Sequence, residues 1–241
     1  MIRFLLIRGM FSGLVAGLLA VVFALIFGEP PVDRAIDFES ALRAARGEAP
    51  EPELVSRTVQ STIGLTTAVV PYAVVFGGVL ALAFAITYGR VGGLPARATA
   101  VILALGGYLI VYVVPFLKYP ASPPAVGNPD TISERTATYF GMAGMSVALA
   151  ISVTYLGRRL SARLGAWNAA LFASAVFIAA VTVTQFLFPT INEVPEGFPA
   201  TVLWNFRIAS LGTQLVIWAT IGLLFGPLVY RRLESAAPLT R

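Results

Sequence analysis

Two residue types that often bind metals are missing from this chain of 241 residues, which has no cysteine and no histidine. Without cysteine there is no disulfide and no thiolate metal site. Without histidine there is no Ser-His-Asp triad and no imidazole ligand. Lysine is nearly absent too, because Lys118 is the only one, and it does not follow a glycine as a Walker A lysine does. Nothing in the sequence indicates an enzyme.

Charged side chains are also absent from six apolar stretches of at least 20 residues each. A helix rises about 1.5 Å per residue, so ~20 residues cross the ~30 Å hydrocarbon core of a bilayer. We therefore predict an all-α, polytopic helical membrane protein with one integral membrane domain over residues 1–241. The predicted transmembrane helices lie at about residues 9–28, 62–88, 98–117, 136–157, 166–188 and 208–230.

The charges outside these stretches are sorted by side. The termini and the even loops carry ten basic residues and one acid, whereas the three odd loops carry seven basic residues and eleven acids. Basic loops stay in the cytoplasm, which predicts that both termini are inside and that the odd loops are outside. The net charge of +5 then reflects topology, and no nucleic-acid partner is expected. The spans contain no ionisable group that could relay protons.

Small residues on the first span and polar residues on the second span each suggest a role for their helix. Gly9, Gly13 and Gly17 form a stripe on the first span, which predicts close helix packing either within the chain or against another subunit. Pro71 is expected to kink or break the second span. The polar residues before it could line an aqueous path or could bond to their own helix backbone; they are Gln60, Ser61, Thr62, Thr66 and Thr67.

The first outer loop, residues 29–57, is predicted to hold a short amphipathic helix on the outer membrane surface, because Pro31 suits a helix start and Gly47 a helix end. Asp33 and Asp37 are four residues apart, so they share a helix face and repel each other unless a cation lies between them. With Glu29 they are candidate metal ligands; the alternative is a solvated helix face.

The other two outer loops are rich in proline, including Pro123 and Pro124, which makes them extended and stiff. Stiff, patterned loops favour a defined binding surface, although three tight re-entries into the membrane would also explain the prolines. Tyr119 and Trp204 suit an interfacial aromatic belt. Further candidate oxygen ligands for a metal in these loops are Asn128, Asp130, Asn192, Glu193 and Glu196.

A weak internal repeat links the spans, since each even span begins near an arginine: Arg57, Arg135 or Arg207. This pattern is typical of three related helical hairpins. The arginines could extend to lipid phosphate, or they could pair with the acids of the outer loops.

Three ordered strings in the outer loops carry a resemblance to a known family. They are Gly-Glu-Pro-Pro-Val-Asp-x-Ala-Ile from residue 28, Leu-Lys-Tyr-Pro-x-x-Pro-Pro-Ala-Val-Gly-x-Pro from residue 117, and Asn-Glu-Val-Pro-x-x-Phe-Pro-Ala from residue 192. Together they resemble the CbtA family of proposed bacterial cobalt transporter subunits. The resemblance implies cobalt uptake for vitamin B12 synthesis across the bacterial inner membrane. It also implies a small CbtB partner with one span and a His-rich segment. The family is usually drawn with five spans, and Ser122 replaces a common asparagine.

Ligand chemistry limits what this chain does alone. Co²⁺ favours nitrogen donors, whereas the chain offers carboxylates, amides, hydroxyls, carbonyls and four thioethers. We therefore expect no stably bound cofactor and a divalent cation, suspected to be cobalt, as the transported substrate. Two hypotheses remain: a transport subunit that gains selectivity from a His-bearing partner, and a non-transporting membrane scaffold or assembly subunit.

Overall fold

The computed structural model describes residues 1–49, 55–90 and 93–234, and within these ranges it contains helices and no strand. The all-α prediction is confirmed there. Residues 50–54 of the predicted outer loop and residues 235–241 of the predicted cytoplasmic tail lie outside the described part. The α-helices are α1 (Ile2–Phe23), α2 (Glu29–Ala45), α3 (Arg57–Val59), α4 (Leu65–Thr87), α5 (Ala96–Gly107), α6 (Val114–Lys118), α7 (Ile132–Leu187) and α8 (Ala200–Glu234).

Three wider π-helical segments join consecutive α-helices without ending the helix: Ala24–Gly28, Gln60–Gly64 and Tyr108–Val113. Two of them stand just before prolines. A proline ring clashes with the carbonyl four residues earlier, and for Pro30 and Pro115 that carbonyl belongs to Ile26 and Val111, inside π-helical segments. The wider turn relieves this clash, so the chain stays helical through both prolines.

Five continuous helical segments of the described chain are long and apolar enough to cross a membrane. They are Ile2–Ala45, Arg57–Thr87, Ala96–Lys118, Pro129–Leu187 and Ala200–Tyr230. The predicted helix of the first outer loop is present as α2, but it continues α1 directly, with helical dihedrals at Phe23, Gly28 and Glu29. Its position on the membrane surface stays a prediction. Pro71 lies inside α4 and does not end it.

The helix α7 is interrupted at Gly165, whose φ of 76° and ψ of 160° are not helical. This region of backbone space is accessible almost only to glycine. Residues on either side of Gly165 approach one another: a Cβ added to Gly157 would lie 3.1 Å from the Cβ of Ala173. A Cβ added to Gly141 would lie 3.3 Å from the ring of Phe188. The two halves of α7 therefore run alongside each other.

The contacts divide the chain into two units. The first contains Met1–Tyr108, Ser122–Ala125 and the stretch that begins at Gly197; the second contains Leu109–Ala121 and Val126–Glu196. In the first unit α1 packs against α4 and α8, and α5 also packs against α8. In the second unit α6 packs against α7. Ser146 of α7 donates a hydrogen bond to the Ile110 carbonyl, inside a π-helical segment.

The glycine stripe of α1 is its contact face with α4. Of the two predicted alternatives, packing within the chain and packing against another subunit, the structure shows the first. A Cβ on Gly9 would collide with the Gly77 carbonyl, and one on Gly13 would lie 2.8 Å from the Cα of Val74. A Cβ on Gly17 would lie 2.9 Å from the Cα of Val70. These neighbours are backbone atoms, so only the lack of a side chain lets the two helices come this close.

Candidate functional site

An ion-pair network joins the first outer loop to the start of the second membrane segment. Glu29 and Asp33 are one helical turn apart on α2, so their side chains lie on the same face. Arg57, at the start of α3, contacts both: its guanidinium bonds to the Glu29 carboxylate and lies 2.9 Å from Asp33 Oδ1. One cation therefore holds two carboxylates. In the structure, Arg57 pairs with acids of the first outer loop, which is one of the two alternatives that the sequence left open.

Glu29 also lines a cavity of about 170 Å³ inside the first unit. The cavity lies among the junction of α1 and α2, the beginning of α4 and the first half of α8. Its polar wall consists of Glu29, Ser210, Thr213 and Gln214, and the remainder is apolar, including Phe206 and Leu65. Glu29 is the one ionisable residue among those that line it, and its side chain is only 16% exposed. The cavity thus combines one carboxylate with hydroxyl and amide groups.

The side-chain amide of Gln214 is hydrogen-bonded within the described chain through its nitrogen and not through its oxygen. Its Nε2 donates a hydrogen bond of 3.2 Å to the Tyr72 hydroxyl. Its Oε1 is buried and accepts no hydrogen bond within the described chain. A buried amide oxygen without a donor loses its hydration and gains nothing in return, which costs roughly 1–3 kcal/mol.

Most of the other polar groups at the start of the second membrane segment bond to their own helix. Ser61 and Thr62 donate to the Thr58 carbonyl, and Thr67 donates to the Ile63 carbonyl. For Ser61, Thr62 and Thr67 the backbone-bonding interpretation is confirmed. Gln60 donates instead to the carbonyl of Val55, which precedes the helix.

The second unit holds the two Pro-rich loops together through the Glu193 carboxylate. Its Oε2 accepts a bond of 2.6 Å from the Asn128 backbone amide, and its Oε1 accepts one of 2.5 Å from the Thr131 hydroxyl. Arg135 Nε lies 3.4 Å from the same carboxylate, and its Nη2 donates to the Asn128 carbonyl. We call Asn128, Thr131, Arg135 and Glu193 the loop clasp. A side chain at Gly127, whose φ is 124°, would collide with the Arg135 guanidinium.

The loop clasp keeps Glu193 ionised. The Thr131 hydroxyl and the Asn128 amide, together with the Arg135 guanidinium, lower the pKa of the Glu193 carboxyl below its ordinary value. Because both oxygens already accept hydrogen bonds, this carboxylate acts as a structural anchor between the loops. The sequence predicted it as a metal ligand, and that role stays a prediction.

Lys118 and Tyr119 fasten the same two loops at a second place. Lys118 Nζ lies 3.2 Å from the Thr190 hydroxyl, and the Tyr119 hydroxyl donates a bond of 2.8 Å to the Pro189 carbonyl. Burial raises the pKa of the Tyr119 phenol, so it remains a donor. These bonds give the string that begins at residue 117 a physical basis, because its side chains hold the next loop in place.

The remaining predicted residues are spread over both units. Pro123 is buried and Pro124 is exposed, while Trp204 is 64% exposed, as expected for an interfacial aromatic residue. The Asp130 amide bonds to the Asn128 side chain, closing a turn. No group of three or more acidic residues in a metal-binding arrangement occurs in residues 1–49, 55–90 and 93–234. Of the candidate ligands, Asp37 belongs to the first unit, and Asn192 and Glu196 belong to the second. Arg207 of the arginine repeat lies on α8.

Sequence reasoning missed Gln214, Ser210 and Thr213 as possible site residues. A usable signal existed, because Gln214 is the one amide in the charge-free stretch from residue 208 to residue 230. Polar side chains within a span usually face protein or a water-filled space, not lipid.

Long apolar helices, close glycine packing and polar, interlocked loops define a multi-pass membrane protein. The sequence matches the CbtA family, described as "Probable cobalt transporter subunit (CbtA)", over residues 2–230. The chain belongs to this family, which makes it by family a transporter subunit, a class of protein that works with at least one partner. No curated protein and no solved structure matches the chain.

Proposed function

We propose that this chain is the membrane-pathway subunit of a divalent-metal uptake system, with cobalt as the substrate, in the bacterial inner membrane. The observation that carries the proposal is the sorting of charge along the chain: eleven of the twelve acids lie in the three loops that the proposed topology assigns to the face opposite the termini. An acidic surface raises the local concentration of cations. The Glu29 and Asp33 carboxylates, held by Arg57, stand where that surface meets the helices of the first unit.

The proposed topology has six spans with both termini in the cytoplasm, arranged as three helical hairpins. The helix α7 has 56 residues, and at about 1.5 Å per residue it would be far longer than the ~30 Å hydrocarbon core. The break at Gly165 and the approach of Gly157 to Ala173 support two spans within α7. The loop around Gly165 then faces the cytoplasm, which agrees with Arg158, Arg159 and Arg163 nearby.

This topology can be tested because the chain has no cysteine of its own. Single cysteines at Ser122 and Thr190 should both react with a membrane-impermeant maleimide in intact cells, whereas a cysteine at Ser161 should react only after permeabilisation. If α7 crossed the membrane once, Ser122 and Thr190 would be labelled from opposite sides.

We further propose that selectivity comes from a His-rich, single-span partner of the CbtB type. The chain lacks both His and Cys, so it lacks the nitrogen and thiolate ligands with which proteins hold Co²⁺ most selectively. Oxygen ligands alone would also accept Mg²⁺, Ca²⁺ or Mn²⁺. Cobalt is the cargo in this proposal, and no resident cofactor is required.

The transport role is tested by neutralising the outer acids. Cobalt accumulation is measured in cells with the complete system, with and without the chain, and with Asp33→Asn, Asp37→Asn, Glu193→Gln and Glu196→Gln. We expect accumulation to require the chain and to fall across the series. Unchanged accumulation in all variants would contradict both the role and the acidic outer surface.

The alternative is a scaffold that assembles a transporter without forming its pathway. It is favoured by the absence of ionisable groups within the spans. A scaffold would co-purify with its partner, and vesicles containing the assembled complex would take up no more Co²⁺ when the chain is included than when the partner is reconstituted alone.

A further inference from the structure

We propose that the cavity lined by Glu29, Ser210 and Gln214 is a binding site for the transported divalent cation, and that Arg57 competes with the cation for the Glu29 carboxylate. This inference rests on the proposed transport function and deepens it. No residue of the cavity was predicted as a ligand except Glu29.

The donor groups suit a hard or borderline cation. Glu29 supplies a carboxylate with 16% exposure, and Gln214 brings an amide group to the same wall. The Ser210 hydroxyl lies on that wall too. Carboxylate, amide and hydroxyl oxygens bind divalent cations.

The cavity is large enough for a cation that keeps part of its water shell. Its volume is about 170 Å³, whereas a single buried water needs only ~10–15 Å³ of such space. Partial hydration is what an oxygen-lined transit site requires, because a transported ion has to leave again. The apolar part of the wall, which includes Phe206 and Leu65, prevents the ion from being completely enclosed by ligands.

The charges next to the cavity indicate that Arg57 competes with the cation. Glu29 and Asp33 carry two negative charges, and the Arg57 guanidinium contacts both. An arriving divalent cation competes with this guanidinium for the Glu29 carboxylate. Arg57 therefore holds the carboxylates in place without a cation and weakens cation binding by competition. Removing Arg57 should strengthen cation binding, whereas a purely structural ion pair would give no such gain.

The test measures the initial rate of Co²⁺ uptake at a series of Co²⁺ concentrations, in cells with the complete transport system. Glu29→Gln and Gln214→Leu should each raise KM roughly tenfold or more, as the loss of groups around a metal commonly does. Gln214→Glu keeps an oxygen at that position and adds a negative charge, so it should not raise KM as Gln214→Leu does. Arg57→Gln should lower KM.

Matched controls come from the same chain. Glu39 and Arg43 form an ion pair on α2 with an N–O distance of 2.9 Å, outside the cavity, so Glu39→Gln and Arg43→Gln should leave KM unchanged. Gln185 donates to the Val114 carbonyl in the second unit, so Gln185→Leu tests the loss of a membrane amide in general. Protein levels in the membrane are measured for each variant, and Gln214→Asn, which shortens the side chain by one carbon, replaces Gln214→Leu if the latter does not accumulate.

The outcomes separate the two proposals. If the rate of uptake is the same with and without the chain, the proposed function is wrong. If uptake requires the chain but KM is unchanged in Glu29→Gln and in the Gln214 variants, the cavity is not the cation site and the function stands. If Arg57→Gln raises KM, Arg57 is not a competitor of the cation.

Discussion

Two neighbouring glycines of α4 provide a controlled test of the close packing between α1 and α4. A Cβ at Gly77 would collide with the Gly9 carbonyl oxygen and would lie 2.9 Å from the Gly9 carbonyl carbon and 3.0 Å from the Gly13 Cα. A Cβ at Gly78 would meet only the Met10 side chain, at an ordinary 3.6 Å. The same substitution, glycine to alanine, is therefore obstructed by backbone at one position and free at the next.

The magnitude follows from these distances. The Gly9 and Gly13 atoms belong to backbone, so α1 as a whole has to move away before a methyl group fits at Gly77. Overpacking of this kind costs about 1–3 kcal/mol. Alanine also favours a helix over glycine by about 1 kcal/mol, but this gain applies to both positions and cancels in the comparison. Gly77→Ala should therefore be less stable than Gly78→Ala by about 1–3 kcal/mol.

The assay is unfolding of the purified protein in mixed micelles, followed by tryptophan fluorescence. Each variant is compared with the wild type under identical detergent conditions. Equal stability of Gly77→Ala and Gly78→Ala would refute the contact between α1 and α4, because that contact is the reason for expecting the two variants to differ.

The remaining predictions concern the second unit and can be checked on the same purified protein. Gly165→Ala forces a side chain into a glycine-only conformation and should lower stability by about 1–3 kcal/mol. Gly144→Ala should not lower stability, because a Cβ at Gly144 meets nothing within 4 Å. Equal effects of the two substitutions would argue against the break in α7. The loop clasp should lose stability in acid, because the pKa of Glu193 is lower in the folded state than in the unfolded chain. The contribution of Glu193 to folding stability is complete above the unfolded-state pKa and disappears as pH falls through the folded-state pKa. Melting temperatures measured from neutral pH downwards should therefore decline less steeply for Glu193→Gln than for the wild type, and parallel curves would contradict the clasp. Tyr119→Phe removes the bond to the Pro189 carbonyl and should cost about 0.5–1.5 kcal/mol, and an unaltered unfolding curve would count against that bond.

The sequence predicted the features that depend on local pattern. Charge-free length indicated long membrane-spanning helices, five of which are present in the described chain, while the count of six stays a prediction. The spacing of Gly9, Gly13 and Gly17 located a contact face, because such a stripe is read along one helix. The helix at Glu29–Ala45 was also predicted. Its continuity with α1 was not, since Gly28, Pro30 and Pro31 indicate a break, and the π-helical turn at Ala24–Gly28 that absorbs the prolines has no distinct sequence pattern.

The candidate site depended on contacts between distant segments, which one sequence does not encode visibly. Glu29 and Gln214 line one cavity although they lie near opposite ends of the chain. Glu193 was predicted as a ligand because carboxylates bind cations, whereas its bonds to Thr131 and Asn128 could not be read from the sequence. Pairing of the arginines with loop acids was one of two open alternatives, and only the structure distinguishes them for Arg57 and Arg135.

We propose that this chain carries a divalent cation across the membrane as part of a larger transporter. The uptake of radioactive cobalt is measured in cells that have every other component of the system and either contain or lack this chain. Uptake should disappear without the chain, return when the wild-type chain is supplied, and return only poorly when Glu29→Gln is supplied. Equal uptake in the presence and absence of the chain would show that the chain does not carry the cation.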